Sequence, residues 1–186
     1  MNVERLNLDL ITKAGHGHLT LPWPSGSGMF TAFEDFAAWR RYIDAADLDA
    51  RTPLIVAESF HRAQKLYLLG WIDLDTVSAG ELAALISLEM ALRDRYGKKD
   101  FSNLLRHMVE RDGLSDNDLA QRTGIKRPVV AIVRGEIKPT LSERRNGMAH
   151  GSAFRSLPLA GLLELVRDLI EYAYRQYYLE APSPAA

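Results

Sequence analysis

Residues 78–97 read SAGELAALISLEMALRDRYG, which is the clearest helical pattern in the chain. Ser78 and Glu81 have the spacing of a capping box, in which two side chains bond the free amides of a helix's first turn. Apolar side chains then recur at helical spacing as far as Tyr96, and a glycine such as Gly97 is typical of a helix end. The segment therefore predicts a long, mostly apolar helix.

Further helices are predicted on both sides of this one. They are expected at residues 33–46 with Thr31 as the cap, at 53–69, at 101–111, as two short helices within 115–136, from 139 onward, and from 156 onward. Residues 1–31 differ, because clustered glycines, prolines and serines mark turns there, and only a short strand is predicted, at 19–21. Residues 181–186 are expected to be a disordered tail. The pattern predicts an all-α, up-and-down bundle over residues 32–180, preceded by an irregular N-terminal segment.

The composition limits the possible functions. The 186 residues suit one domain, and a formal net charge of −1 gives no overall basic field, so any nucleic-acid contact has to be local. The absence of cysteine excludes disulfides, thiolate metal sites and cysteine nucleophiles. Nothing resembles a signal peptide, and no apolar run approaches the about 20 residues of a membrane span. A cytoplasmic protein without membrane contact is expected.

The most informative motif is ERRNGMAHG at residues 143–151. It follows a second capping-box pattern, Thr-x-x-Glu, and is predicted to lie on a helix. Asn146 and His150 are four residues apart and therefore share a face, which the long side chain of Arg145 can also reach. Gly147 and Gly151 have the same spacing, so they are expected to form a strip without side chains, where a phosphate can approach closely.

These residue types suit RNA cleavage without a metal. Histidine exchanges protons near neutral pH, so His150 is the candidate acid/base. The planar guanidinium of Arg145 can bind phosphate oxygens and the extra charge of the transition state, with Asn146 as a positioning residue. One Arg–His pair still falls short of two proton-transfer groups. Two copies of the motif, paired across a two-fold axis, would supply both.

The motif resembles the signature of the HEPN superfamily, small helical bundles that include many metal-independent ribonucleases. Segment 85–97, followed by the apolar helix at 101–109, is similar to helices found upstream in several HEPN groups, so the resemblance covers roughly 78–180. It implies an HEPN-like homodimer with both motifs in a shared cleft, RNA as substrate, no metal or cofactor, and a toxin–antitoxin or phage-defence setting with an antitoxin as a further partner. Ser152 departs from toxin-type members that carry a tyrosine there.

Charged residues around the motif are assigned supporting roles. Glu89 lies in an otherwise apolar helix, and a buried carboxylate needs a partner. Arg145 is the expected partner, so Glu89 would orient the arginine, and removing Arg145 would leave a buried charge unpaired. Arg144, Lys126 and Arg127 are predicted to contact the nucleic acid.

Other patterns leave alternatives open. Residues 115–136 match the spacing of a helix-turn-helix unit, in which Lys126, Arg127 and Arg134 would meet DNA phosphates. The apolar run 129–133 leaves few polar side chains for reading bases, however. A non-catalytic interaction module is a further alternative. His16 and His18 are too few for a metal site. Tyrosines of the last helix are interpreted as amphipathic residues at a core or subunit boundary rather than as a platform for base stacking (Tyr172, Tyr174, Tyr177, Tyr178).

Overall fold

The computed structural model describes residues 8–15, 17–22, 30–123, 129–151 and 158–180. The N-terminal part contains helix α1 (Leu8–Ala14) and strands β1 (Leu19–Pro22) and β2 (Phe30–Phe33), which pair antiparallel. The strand predicted at 19–21 is confirmed, whereas α1 and β2 were not predicted. Side chains of Ile11, Leu19 and Leu21 are buried in the same core as the helices that follow.

Helices α2 (Phe36–Asp44) and α3 (Leu54–Leu69) come next. The prediction that Thr31 caps a helix from residue 33 is wrong, because residues 30–33 form β2. Asp35 is the actual cap of α2, and its carboxylate accepts a bond of 2.6 Å from the Ala38 amide. Helix α3 agrees with the predicted 53–69, with Pro53 immediately before its first residue.

Helix α4 (Asp75–Tyr96) is the central element, and it packs against α3 and against three of the later helices. It begins three residues before Ser78, so the predicted capping box at Ser78 and Glu81 is wrong. Glu81 lies on the second turn and its side chain is fully buried, directed at another helix instead of its own first turn. The predicted end is confirmed, because Gly97 follows the last residue with a φ of +82°.

The remaining helices are short until the last one. They are α5 (Phe101–Glu110), α6 (Asp116–Thr123), α7 (Val129–Arg134), α8 (Leu141–Ala149) and α9 (Leu162–Glu180). The two helices predicted within 115–136 are confirmed as α6 and α7, and the Val130 amide donates to Asp116 Oδ1 at 2.9 Å, which ties them together. The last helix begins at Leu162 instead of residue 156, and residues 152–157 lie outside the described ranges.

The core confirms the predicted all-α bundle. Large side chains at its centre are fully buried, among them Trp39, Phe60 and Tyr67. Tyr172, Tyr174 and Tyr178 of α9 are buried, which agrees with their interpretation as residues at the boundary of the core. No helix within the described ranges is both long and apolar enough to cross a membrane.

Candidate active site at the end of helix α8

Helix α8 begins at a complete capping box. The Glu143 amide donates to the Thr140 hydroxyl at 3.1 Å, and the Thr140 amide donates to Glu143 Oε2 at 2.9 Å. Lys138 forms an ion pair with the other oxygen of Glu143. The second predicted capping box is therefore confirmed, and it fixes the start of the helix that carries the motif.

The inner face of α8 is held by Arg144. Its guanidinium pairs with Glu81 of α4, and both side chains are almost completely buried. The other oxygen of Glu81 accepts a bond of 2.5 Å from the Leu159 amide, just before α9. One buried carboxylate thus joins α4, α8 and the chain segment that leads into the last helix.

Burial governs the titration of this inner cluster. It raises the pKa of Glu81, against the opposing effect of Arg144 and of the Leu159 amide. Burial and the nearby carboxylate of Glu81 also raise the pKa of Tyr67, whose hydroxyl has no hydrogen-bond partner among the described residues. The cluster is buried scaffolding and does not reach solvent.

The outer face of α8 carries Arg145, which pairs with Glu89. Arg145 Nη2 lies 2.7 Å from Glu89 Oε2, and Arg93 Nη2 lies 2.7 Å from the other oxygen. The Glu89 side chain is only 7% exposed, whereas those of Arg145 and Arg93 are 29% and 51% exposed. The predicted contact between Glu89 and Arg145 is confirmed. Because one carboxylate pairs with two guanidiniums, the three side chains together keep a net positive charge near the surface.

Asn146 and His150 lie next to this trio on the surface. Arg145 Nη1 donates to Asn146 Oδ1 at 3.0 Å, and the His150 amide donates to the Asn146 carbonyl at 3.0 Å. Both side chains are exposed. No hydrogen bond joins the imidazole of His150 to any residue that the structure describes. A fixed guanidinium, a polar amide and an accessible imidazole are thus carried by residues 145–150, which span about one and a half helical turns.

The motif does not continue as a helix to its end. Helix α8 stops at Ala149, His150 is the C-cap, and Gly151 follows with a φ of +75°, the left-handed region that favours glycine at this position. The predicted strip of Gly147 and Gly151 is therefore wrong, because Gly151 lies beyond the helix and serves to end it. His150 is placed at a helix end, where its side chain projects into solvent.

One of the predicted supporting roles is wrong, and two others cannot be compared with the structure. Arg144 is buried and occupied by Glu81, so the prediction that it contacts a nucleic acid is wrong. Lys126 and Arg127 lie outside the described residues. Sequence reasoning also missed Glu81 and Arg93. A carboxylate in an apolar helix was a usable signal for Glu81, as it was for Glu89, and Arg93 stands four residues after Glu89, the spacing of a helical ion pair.

The competing patterns lie partly outside the described residues. His18 is exposed and His16 lies outside the described residues, and no group of potential metal ligands occurs in the described part of the chain. Residues 124–128, the turn of the helix-turn-helix pattern, are also outside it, and the side chains of Val130 and Val133 on α7 are half-buried. Comparisons with protein-family models, with curated proteins and with solved structures gave no match. Function has to be inferred from the chemistry of the residues themselves.

Proposed function

We propose that this protein is a metal-independent endoribonuclease of the HEPN type, acting as a homodimer on RNA. The observation that supports this most is the pairing of Arg145 with the buried Glu89 beside the exposed Asn146 and His150. A guanidinium held in place by a buried carboxylate is oriented before substrate arrives, which is how an enzyme avoids reorganising its charges during the reaction. The exposed imidazole of His150 lies five residues further along, at the end of the same helix.

The chemistry follows from these groups. His150 accepts the proton of a ribose 2′-hydroxyl, and the 2′-oxygen then bonds to the adjacent phosphorus. Arg145 binds the non-bridging phosphate oxygens as negative charge builds on them, and Asn146 positions the strand. The bond from phosphorus to the 5′-oxygen breaks, which leaves a 2′,3′-cyclic phosphate and a 5′-hydroxyl. The leaving 5′-oxygen needs a proton from a second acid.

A homodimer supplies that second acid. One chain offers a single imidazole in this motif, and His150 of the partner subunit would protonate the 5′-oxygen. His150 lies at the exposed end of α8, a position that allows it to face a second copy of the chain. Light scattering at high protein concentration should find a dimer, and a monomer under those conditions would contradict this arrangement.

The natural setting of such an enzyme is proposed from the resemblance of the motif alone. A cytoplasmic toxin or phage-defence ribonuclease needs a partner that restrains it, so an antitoxin is the expected further partner. The buried pairs around α8 provide a rigid support for the motif, whatever that partner is.

Cleavage in the presence of EDTA tests the activity directly. The purified protein should cut RNA and leave 2′,3′-cyclic phosphate ends. His150→Ala should abolish cutting without loss of the helical circular-dichroism signal, because removing an exposed imidazole changes the stability by about 0.5 kcal/mol or less. His18→Ala is a matched control, since it removes another exposed histidine. Equal cutting by the wild type and His150→Ala would refute the proposal.

A further inference from the structure

A basic depression lies between the end of α4 and the start of α5. It has a volume of about 540 Å³ and is lined by Arg93, Lys98, Lys99, Asp100 and Asn103. Three cations and one carboxylate meet there, in a chain whose formal net charge is −1. Such a local excess of positive charge in an open depression attracts anions. It suits a ligand that carries several negatively charged groups.

The depression is joined to the proposed active site through one carboxylate. Arg93 lines it and binds Glu89, whose other oxygen binds Arg145, so both arginines share a counter-ion. Arg93 follows Glu89 by one helical turn, which is about 6 Å along the axis of α4. A strand bound at Arg145 can therefore continue toward Arg93 along a surface of the same charge.

The remaining polar groups of the depression extend this surface onto α5. Lys99 Nζ lies 3.4 Å from His107 Nδ1, which directs the ammonium toward that helix. Arg106 Nη1 lies 3.5 Å from Asn103 Oδ1 and adds another exposed cation beside the depression. Lys99 and Arg106 have flexible side chains with several hydrogen-bond donors. Such side chains bind phosphate oxygens without reading bases.

We infer that this depression is a subsite for the phosphodiester backbone of single-stranded RNA, next to the bond that Arg145 and His150 cleave. The inference rests on the ribonuclease function proposed above. Its role is positional: Lys98 and Lys99 hold phosphates of the strand beyond the cleaved one, which orients the 2′-hydroxyl toward His150. Because backbone contacts carry no sequence information, the subsite adds affinity equally for all sequences.

Binding measured with cleavage disabled tests the subsite by itself. In a His150→Ala background, a short labelled single-stranded RNA should bind about tenfold more weakly when Lys98→Gln and Lys99→Gln are introduced together. The slope of log affinity against log salt should become shallower by about 0.7 for each lost phosphate contact. Lys13→Gln, an exposed lysine that does not line the depression, is the matched control. Unchanged affinity in the double variant, or no RNA binding at all, would overturn the inference.

Because RNA binding and RNA cleavage are measured separately, a failure of the subsite can be distinguished from a failure of the proposed ribonuclease activity. If RNA binds through Lys98 and Lys99 but the wild type leaves it intact, the subsite stands and the ribonuclease proposal fails. If the wild type cuts RNA, and Lys98→Gln with Lys99→Gln changes neither kcat/KM nor affinity, the subsite alone is refuted. Duplex DNA that binds more tightly than the RNA, through the same two lysines, would also overturn it.

Discussion

Glu81 and Arg144 form a buried ion pair that joins the central helix α4 to the motif helix α8, with side chains that are 0% and 6% exposed. The next residue along the chain, Arg145, turns outward and pairs with Glu89 of the same central helix. The two adjacent arginines therefore have different roles. The first fixes α8 on the bundle, and the second presents a guanidinium at the surface.

This division predicts very different costs for removing the two arginines. Arg144→Ala leaves Glu81 buried with the Leu159 amide as its remaining donor among the described residues, and we expect it to lower the free energy of unfolding by about 3–5 kcal/mol. Arg145→Ala should cost only about 1 kcal/mol, because Glu89 keeps its bond to Arg93. The structure thus corrects the expectation that Glu89 would be left unpaired. Urea unfolding followed by circular dichroism measures both.

A double variant provides the control for the buried pair. Replacing both members with apolar side chains of similar size, Glu81→Leu together with Arg144→Met, removes the buried carboxylate that Arg144→Met alone leaves without its ion-pair partner. The double variant should therefore unfold at a higher urea concentration than Arg144→Met alone. A loss below about 1 kcal/mol for Arg144→Met would contradict the importance of this pair.

The capping box of α8 predicts that the stability of the folded protein falls in acid. Bonds from Lys138 and from the Thr140 amide lower the pKa of Glu143 from 4.5 to about 2. A carboxyl with a lowered pKa in the folded state adds stability above its unfolded pKa, and that stability is lost as the pH falls through the folded value. Between about pH 4.5 and about pH 2, the melting temperature of the wild type should fall more steeply than that of Glu143→Gln.

Glutamine preserves the geometry of this box but removes the charge of residue 143, and with it both the titration and the ion pair with Lys138. It can still accept the Thr140 amide bond, since glutamine also occurs at this position of capping boxes. Differential scanning calorimetry across the acidic range measures the effect. Glu136→Gln, a change at an exposed glutamate outside the box, should keep the wild-type slope. Equal slopes of melting temperature against pH for Glu143→Gln and the wild type would show that Glu143 does not cause the loss of stability in acid.

The two capping-box patterns show which contacts could be predicted from the sequence and which could not. Thr140 and Glu143 were predicted correctly, because both partners belong to one turn and no distant residue competes for them. Ser78 and Glu81 have the same spacing, but Glu81 is bonded to Arg144, 63 residues away. A local pattern cannot reveal a partner that only tertiary packing brings near. Strand β2 was missed for a different reason: Thr31 and Phe33 were assigned to the start of a helix, although β2 pairs with β1 only 8 to 14 residues earlier.

The site itself was predictable in part. Burial of Glu89 in an apolar helix required a cation, and its contact with Arg145 followed once two helices were assumed to face each other. Which of Arg144 and Arg145 points inward depends on the rotation of α8 about its axis, and neighbouring arginines in a short polar helix do not encode it. The roles of Arg145, Asn146 and His150 in catalysis stay predictions.

Gly151 provides a test of how the end of α8 positions the histidine. Its φ of +75° is unfavourable for other residues, and nothing lies within 4 Å of an added Cβ, so any cost of Gly151→Ala comes from the backbone alone. We expect a loss of about 1–2 kcal/mol in unfolding free energy. Gly151→Asn should cost less, because asparagine tolerates this region. If Gly151→Ala were as stable as the wild type, the glycine would have no role in ending the helix.

The effect of Gly151→Ala on RNA cleavage separates this backbone role from the chemistry. His150 immediately precedes the glycine, so a shift of the helix end moves the imidazole relative to Arg145. Cleavage by Gly151→Ala should fall by about tenfold or more, since small misplacements of catalytic groups cost rate. Gly151→Asn should retain more activity than Gly151→Ala. The reverse order would show that the backbone conformation at 151 does not position His150.

Glu89→Gln tests whether the buried carboxylate orients Arg145. Glutamine has nearly the same shape and its carbonyl oxygen can still accept one guanidinium bond, but its amide nitrogen donates and cannot face the second arginine. Both Arg145 and Arg93 therefore lose their counter-charge, and one of them also loses its bond to residue 89. We expect kcat for RNA cleavage to fall by about 10- to 100-fold, because a guanidinium that is no longer held in place must be ordered during the reaction.

The split between kcat and binding distinguishes this positioning role from a purely structural one. Loss of one negative charge should leave RNA affinity in the His150→Ala background equal or slightly higher, since the surface becomes more positive. Circular dichroism should show a folded protein, because Glu89→Gln leaves no unpaired buried charge. Glu89→Asp keeps the charge on a shorter side chain and should recover part of kcat. Wild-type kcat in Glu89→Gln would mean that Arg145 needs no orienting partner, and a proportional loss of affinity would point to RNA binding instead of catalysis.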